Sequence, residues 1–279
     1  MRIKTVEITV LVQQVLEYKF KNMYWFSGVN NHNKKWYSNY IKMYTVAVLS
    51  AKETNPNIKP HLILDGDIDE SIEKLIELGV TVINHQSLFY DVLKNHYKDN
   101  TTAFGAFLRV DIPKICEKLN IEDDYILYTD NDVLFLDDVS ELTNLTPNYF
   151  MAAGEFTKEF VPSQINTGVM WINWKNMSQI YDEFVFFIKL NLSKFQTYDQ
   201  DAIRFFFNDK IESLGYQYNY KPYWNEESGS KILHFHGPKP TFEKSDFTNF
   251  PYPQLVTPYF HKMTEKFNEI YDNNSILNT

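Results

Sequence analysis

Residues Tyr125–Asp138 read YILYTDNDVLFLDD. Four apolar or aromatic residues run into a Thr-Asp-Asn-Asp turn, and a short apolar run closed by two further acids follows. YILY has the length and composition of a buried strand. Side chains alternate along an extended chain, so Asp130 and Asp132 leave on one side. Two carboxylates held that close repel unless a cation or a proton intervenes. A hard divalent ion, Mn²⁺ or Mg²⁺, satisfies the pair and leaves coordination positions open for phosphate oxygens. The competing account is a solvated acidic turn, and Asp137–Asp138 is read that way, as a cap for a helix at Val139.

Upstream of this stretch, strands and helices alternate. Strands are expected at Met23–Ser27, Pro60–Leu64 and Val80–Ile83, with Gly28–Lys35 as a polar turn. Between them, apolar residues at helical spacing predict helices over Trp36–Lys52, Ile68–Leu78 (stopped by Gly79) and Ala103–Leu119, the last bent at Pro113. Strands separated by helices of this size imply βαβ units and a mostly parallel sheet, with a ligand crevice beyond the carboxyl ends of the strands. After Phe135 the rhythm changes. Strand pieces at Tyr149–Ala153 and Gly168–Ile172 sit among turns, Gln179–Leu190 and Gln200–Asn208 read as helices, and Ile232–Phe235 reads as a short strand. Past Pro238 a Pro- and aromatic-rich segment wraps the surface before a helix near His261–Tyr271. The whole is read as a single α/β domain over 1–279, with two functional halves, about 20–135 and 136–240, and a tail over 241–279.

Composition narrows the function. The 279 residues are 44% hydrophobic and 23% charged, which suits a globular protein with a sizeable core. Lys and Arg total 27 against 36 Asp and Glu, a net charge of −9, so nucleic acid is not an expected partner. The single cysteine, Cys116, excludes an intramolecular disulfide framework and a cysteine-rich zinc site. None of the nine glycines forms a dinucleotide-binding or P-loop fingerprint. No stretch approaches the roughly eighteen apolar residues of a membrane-spanning helix. The segment 1–20 is interrupted by Glu7, Gln13 and Gln14 and lacks the features of a secretory leader. The expected location is therefore the cytoplasm, and the aromatic tail is compatible with peripheral contact with a membrane.

Four further groups of residues carry chemistry. In KILHFHGPKP the strand delivers His234 and His236 to a Gly-Pro turn followed by Lys239. Imidazole is an acceptable Mn²⁺ ligand, lysine is a point charge for phosphate, and Gly237 lets backbone come close to an anion. Both histidines share a strand face, so the sequence leaves open which of them faces a metal. Tyr198-Asp199-Gln200-Asp201 precedes an apolar helix; Asp199 would suffice as its cap, but a cap leaves Gln200 and Asp201 unexplained. Ile165-Asn166-Thr167-Gly168 opens a strand. Arg109 stands on an otherwise apolar helix face, which calls for a carboxylate partner or a ligand.

In this order the segments MYWFSGVNN, FLRVDIPKI, YILYTDNDVLF, NTGVMWIN, YDQDAI and HFHGPKP resemble the GT-A nucleotide-sugar glycosyltransferases, and most closely glycosyltransferase family 8. The resemblance covers roughly residues 22–240. It implies a GT-A fold with a Rossmann-like, mostly parallel sheet flanked by helices, a nucleotide-sugar half, a smaller acceptor-side half and a C-terminal helical tail. It also implies a metal-dependent transferase moving a hexose from a nucleotide sugar, a UDP-sugar by analogy, to a glycan or lipid-linked acceptor with retention of configuration. By the same resemblance, Mn²⁺ or Mg²⁺ falls to Asp130, Asp132 and His234. Ser27, Gly28, Asn31, Arg109, Asn131, Asn166, Thr167, Gly237 and Lys239 fall to the donor, and Asp199 and Gln200 to the transferred sugar. The segment departs from the family pattern at Thr241, where Trp is usual, and the first turn lacks the acid that often reads uracil. Two other classes use similar residues: a metal-dependent nucleotide-sugar hydrolase or nucleotidyltransferase, and a non-catalytic sugar-binding module.

Overall fold

Alternation along the central strands sorts their side chains between two cores. On one face Phe26, Ile63, Ile126, Tyr128, Met170 and Ile172 are buried together. On the other lie Trp25, Leu62, Leu64, Leu127, Val169 and Trp171. Strands buried on both faces in this way are covered by helices on both sides, which is the layer arrangement expected of an α/β chain. The computed structural model describes residues 22–98, 100–226, 228–243, 246 and 250–274. The absence of a leader, read from residues 1–20, lies outside them. Among the described residues, no helix is long and apolar enough to cross a membrane.

The main sheet has seven strands in the order β3-β2-β1-β4-β7-β6-β8. They are β1 (Met23–Asn30), β2 (Ile58–Asp65), β3 (Thr81–Asn84), β4 (Tyr125–Thr129), β6 (Phe150–Gly154), β7 (Ile165–Asn173) and β8 (Glu212–Ser213). The first four are parallel: β1 pairs with β2 from Met23↔Ile58 to Asn30↔Asp65, and with β4 at Trp25↔Leu127. Strand β7 runs antiparallel to both β4 and β6, so the sheet is mostly parallel with one reversed strand. Gly28 is strand rather than turn, because β1 follows β2 out to Asn30.

A second, two-stranded sheet joins β5 (Val133–Phe135) to β9 (Ile232–His234), with Val133 opposite His234. Strand β5 is hidden in sequence inside the acidic stretch. It is followed by a local turn in which Asp138 Oδ1 accepts from the Ser140 backbone N–H, and by a short 3-10 helix over Ser140–Asn144 whose first residue is preceded by Val139, so the cap expected of Asp137–Asp138 is not made.

Helices α1 (Lys34–Thr54) and α2 (Glu70–Glu77) cover the second face of the sheet, with Tyr44, Ala47, Val48, Ala51, Ile72 and Leu75 buried against it. Asn33 caps α1 and Asp69 caps α2, each accepting from a backbone N–H one turn in. The first face carries α3 (Tyr90–Tyr97), α4 (Thr101–Phe107), α5 (Ile112–Leu119), α6 (Trp174–Gln179), α7 (Tyr181–Asn191) and α8 (Asp199–Phe207). The expected single helix over 103–119 is broken: residues Leu108–Asp111 tighten to 3-10, and Pro113 sits in the first turn of α5, where its missing N–H costs nothing. That break turns Arg109 inward beneath the crevice.

The tail ends in α9 (Pro258–Asp272), whose Phe260, Met263 and Phe267 pack on Leu134, Leu233 and Phe235 and on Met43 and Val46 of α1. The rings of Phe260 and Phe267 meet Phe235 edge-on at 5.9 and 6.1 Å. The aromatic tail thus covers an apolar face and buttresses β9.

Phe107, fully buried where α3, α4 and the sheet meet, anchors the first face. Phe107→Ala should lower unfolding free energy by about 3–5 kcal/mol, read from urea denaturation followed by circular dichroism.

Candidate active site

The crevice opens at the carboxyl ends of β1 and β4. It is a cavity of about 180 Å³ lined by Gly28, Val29, Asn30, Tyr40, Thr102, Gly105, Ala106, Arg109, Tyr128, Asp130, Asn131, Asp132 and Lys239. Two ladders build its floor. Asp130 N–H donates to Gly168 O at 2.8 Å, extending the β4–β7 pairing past the end of β4. Two residues on, the chain enters β5, and Phe235 N–H donates to Asp132 O at 2.9 Å. The second ladder sets His234 beside the acids: its Nε2 lies 3.4 Å from Asp132 Oδ1 and 3.8 Å from Asp130 Oδ2.

Asp130, Asp132 and His234 each offer one ligand atom, and these atoms all lie within 4.8 Å of one another. Two carboxylates and an imidazole form a donor set suited to a hard or borderline divalent ion. Burial keeps the His234 pKa below its ordinary value, so the ring is neutral and its lone pair available. His234 is thus the histidine aimed at the acids. His236 lies past the strand end, with Tyr223 hydroxyl at 2.9 Å from its Nδ1, and burial lowers its pKa to about 4.

Positive charge surrounds the acids. Burial pushes the Asp132 carboxyl up, but Lys239 and His234 outweigh it and hold the group well below the usual carboxylate range. The Lys239 ammonium forms an ion pair with Asp132 and also donates to Phe235 O at 3.0 Å, and its own pKa is raised accordingly. Gly237, at φ +98°, makes the turn that brings Lys239 back to the cavity.

Arg109 satisfies the demand its apolar surroundings create. Its guanidinium pairs with Asp130 Oδ1 at 2.8 Å and with Asp199 Oδ2 at 3.0 Å, donates to Thr167 O at 2.6 Å, and lies 4.5 Å from the Tyr128 ring. One guanidinium serving two acids leaves Asp199 short of compensation: burial raises its carboxyl to about 6.

The sugar-side residues form one network. Gln200 Oε1 accepts from Asn166 Nδ2 at 3.1 Å and from Thr167 N–H at 3.0 Å. Its Nε2 donates to Glu155 Oε1 at 2.9 Å. On the donor side, Ser27 Oγ lies 2.6 Å from Asn131 Oδ1, and Asn131 Nδ2 donates to Gly28 O at 2.9 Å, tying β1 to the acidic turn.

Of the residues singled out in sequence, Gly28, Arg109, Asp130, Asn131, Asp132 and Lys239 line the cavity; Ser27, Thr167, Asp199 and His234 each touch one of these, and Asn166 and Gln200 join the group through Thr167 and each other. Asn31 points elsewhere, donating to Asp67 O at 3.2 Å, and its neighbour Asn30 takes the place on the wall. Sequence reading passed over Tyr40, Tyr128, Glu155, Arg204, Asn219 and Lys221. Arg204 Nη2 pairs with Glu155 Oε2 at 2.7 Å. Lys221 is fully buried, and burial drives its pKa well below the ordinary lysine value. The signal available for Lys221 was the one used for Arg109, a lone cation in an aromatic segment (Tyr220–Trp224).

The family profile described as glycosyl transferase family 8 matches residues 34–240. A search of curated proteins gives no match. Among solved structures, the galactosyltransferase LgtC, in complex with donor and acceptor sugar analogs, is similar at 16% identity and TM-score 0.66, covering 91% of this chain and 96% of that one. The glycosyltransferase GlyE of Streptococcus pneumoniae TIGR4 is similar at 20% identity and TM-score 0.62, covering 89% of this chain; the match spans 64% of GlyE. Mouse xyloside xylosyltransferase 1 is similar at 15% identity and TM-score 0.53, covering 77% of this chain and 97% of that one. At such identities the likeness establishes the fold, which is the GT-A fold expected from sequence.

Two measurements probe this geometry. A Cβ at Gly168 would lie 2.2 Å from His234 Cε1 and 2.7 Å from its Nδ1. Gly168→Ala should therefore keep the fold by circular dichroism and weaken Mn²⁺ binding, followed by electron paramagnetic resonance, by about tenfold or more. For Glu155, burial pushes the carboxyl up, but His236, Arg204 and Gln200 outweigh it and hold it at about 2 against an ordinary 4.5. A depressed pKa stabilises the fold above the unfolded value, and that contribution is lost as pH falls through 4.5 towards 2. Glu155→Gln should then cost about 1–3 kcal/mol at pH 7 and progressively less below pH 4.5, read from urea denaturation at each pH.

Proposed function

The chain belongs to glycosyl transferase family 8 and is a glycosyltransferase, and on that premise we propose that it transfers a hexose from a UDP-sugar to a glycan or lipid-linked acceptor, with retention of anomeric configuration. The observation that carries the reading is the convergence of Asp130 and Asp132, on the cavity wall, with His234 from a segment about a hundred residues away. An Mn²⁺ or Mg²⁺ ion held by these three side chains would supply charge stabilisation for the departing diphosphate.

The protein's own groups divide the remaining work. Cleavage of a sugar–phosphate bond builds negative charge on the diphosphate and positive charge at the anomeric carbon. Lys239, on the cavity wall, offers its ammonium to the phosphate oxygens. Arg109 fixes Asp130 and Asp199 relative to each other, so the metal-facing and sugar-facing acids keep one spacing. Asp199, Gln200 and Asn166 orient the sugar and offset its positive charge; the network around Gln200 Oε1 holds them in one arrangement. The small residues Gly28, Gly105 and Ala106 leave the wall beside them open to the donor.

The reading is supported if Asp132→Ala removes metal-dependent transfer while circular dichroism shows an intact fold; full activity in that variant would refute the metal assignment. A thermal-shift panel of nucleotide sugars with Mn²⁺ should show the largest stabilisation with UDP-sugars. Product analysis with a radiolabelled donor should show sugar on the added acceptor. Equal release of free sugar without acceptor would identify a hydrolase instead, and absence of Mn²⁺-dependent nucleotide binding in calorimetry a non-catalytic sugar-binding protein.

A further inference from the structure

Lys221 has no part in the chemistry above, yet its burial needs a reason. The side chain is fully buried, and among the described residues no carboxylate lies within ion-pair distance of it. An amine in that setting carries a large desolvation cost and is retained only where its hydrogen bonds matter. Its neighbours are Asn219 Oδ1, to which it donates a hydrogen bond, Asn166 Oδ1 at 3.2 Å and His234 Nδ1 at 3.4 Å. The ring of Trp224 lies 5.9 Å away.

Asn219 joins these contacts together. Its Oδ1 lies 3.0 Å from His234 Nδ1, and its Nδ2 donates to Asn166 Oδ1 at 3.0 Å. The amide could sit either way round. With Oδ1 facing Lys221 it accepts from the amine and from His234 Nδ1–H; flipped, it would set its NH₂ against the donors of Lys221. Lys221 therefore fixes the amide, and the amide fixes the ring. Ammonium and neutral amine alike can donate to both asparagine oxygens, and at Nδ1 the nearer partner is the Asn219 oxygen at 3.0 Å rather than the amine at 3.4 Å, so the acceptor that takes the Nδ1 proton is the amide. The imidazole of a free histidine favours the proton on Nε2, which would block that atom as a ligand.

We propose that Lys221 is a positioning residue that, through Asn219, holds His234 as the Nδ1–H tautomer, with the Nε2 lone pair directed at Asp130 and Asp132. The same contacts load Asn166 Oδ1 with Lys221, Asn219 Nδ2 and Gly168 N–H, which leaves Asn166 Nδ2 to face Gln200. Metal side and sugar side are thereby held by one buried amine.

The proposal builds on the metal reading of the site, and the test separates the two. In metal-free wild-type protein Asp132 Oδ1, 3.4 Å from Nε2, competes for the ring proton; against that pull the ¹⁵N shifts of His234, assigned with a His234→Gln variant, should report Nδ1–H, and Nε2–H would overturn the proposal without any substitution at Lys221. Lys221→Met, checked for folding by circular dichroism, should mix the tautomers and weaken Mn²⁺ binding about tenfold, the effect usual for an outer partner of a metal ligand. Lys221→Gln, which keeps a donor towards Asn219, should recover most of that loss. An unchanged tautomer in Lys221→Met would overturn the proposal, as would unchanged Mn²⁺ affinity. A rise in affinity would do so too, since it would mean that the charge of the amine, not its hydrogen bond, governs the site. If wild-type protein takes up no Mn²⁺, the metal reading fails, and the tautomer comparison still decides the role of Lys221.

Discussion

The pairing of β5 with β9 is the contact on which the site depends. Each strand is three residues long, and their register, Val133 opposite His234, sets an imidazole and a lysine against a carboxylate that is otherwise buried. Asp132 is only 5% exposed, and an uncompensated charge at that depth would cost several kcal/mol. The short ladder is not stable by itself. It is held from below by Leu134, Leu233 and Phe235 packing on α1 and α9, so the apolar helix at the end of the described chain sustains a polar site far from it in sequence.

Much of the architecture is legible because apolar runs and their spacing dictate it. MYWF, PHLIL and YILY cannot be exposed, and the helices between them are long enough to cross over a parallel sheet. The sequence is less informative where tertiary contacts override local pattern. VLF, flanked by acids, looks like part of an acidic loop until a partner strand arrives about a hundred residues later. The break at Leu108–Asp111 follows from Pro113 together with the pull of two carboxylates on Arg109, and only the proline is visible locally.

For the site itself, residue type and order singled out Asp130, Asp132, Lys239 and the Asn166–Gln200 group, and the roles expected of them came from the family resemblance. They could not choose between His234 and His236, because alternation places both on one face. The choice comes from the end of the strand: His234 N–H is still in the ladder, donating to Tyr220 O at 2.7 Å, whereas His236 has left it for Tyr223. Glu155 had no local signal, and Lys221 had only its aromatic setting. The partners of Glu155, Gln200 and Arg204, lie 45 and 49 residues away, and those of Lys221 include two asparagines with no charge to advertise them.

The separation between the acids and their counter-charges bears on how such a chain is made. Asp132 and Lys239 are 107 residues apart. During synthesis from the N-terminus, β1 to β4 and their helices emerge first and can collapse together, but the acidic turn has neither His234 nor Lys239 to meet it. Any nascent fragment ending before β9 therefore has Arg109 to meet Asp130 but leaves Asp132 without its counter-charges. The charges of the crevice are balanced only once β9, Lys239 and the aromatic helix that packs on β9 have all been made.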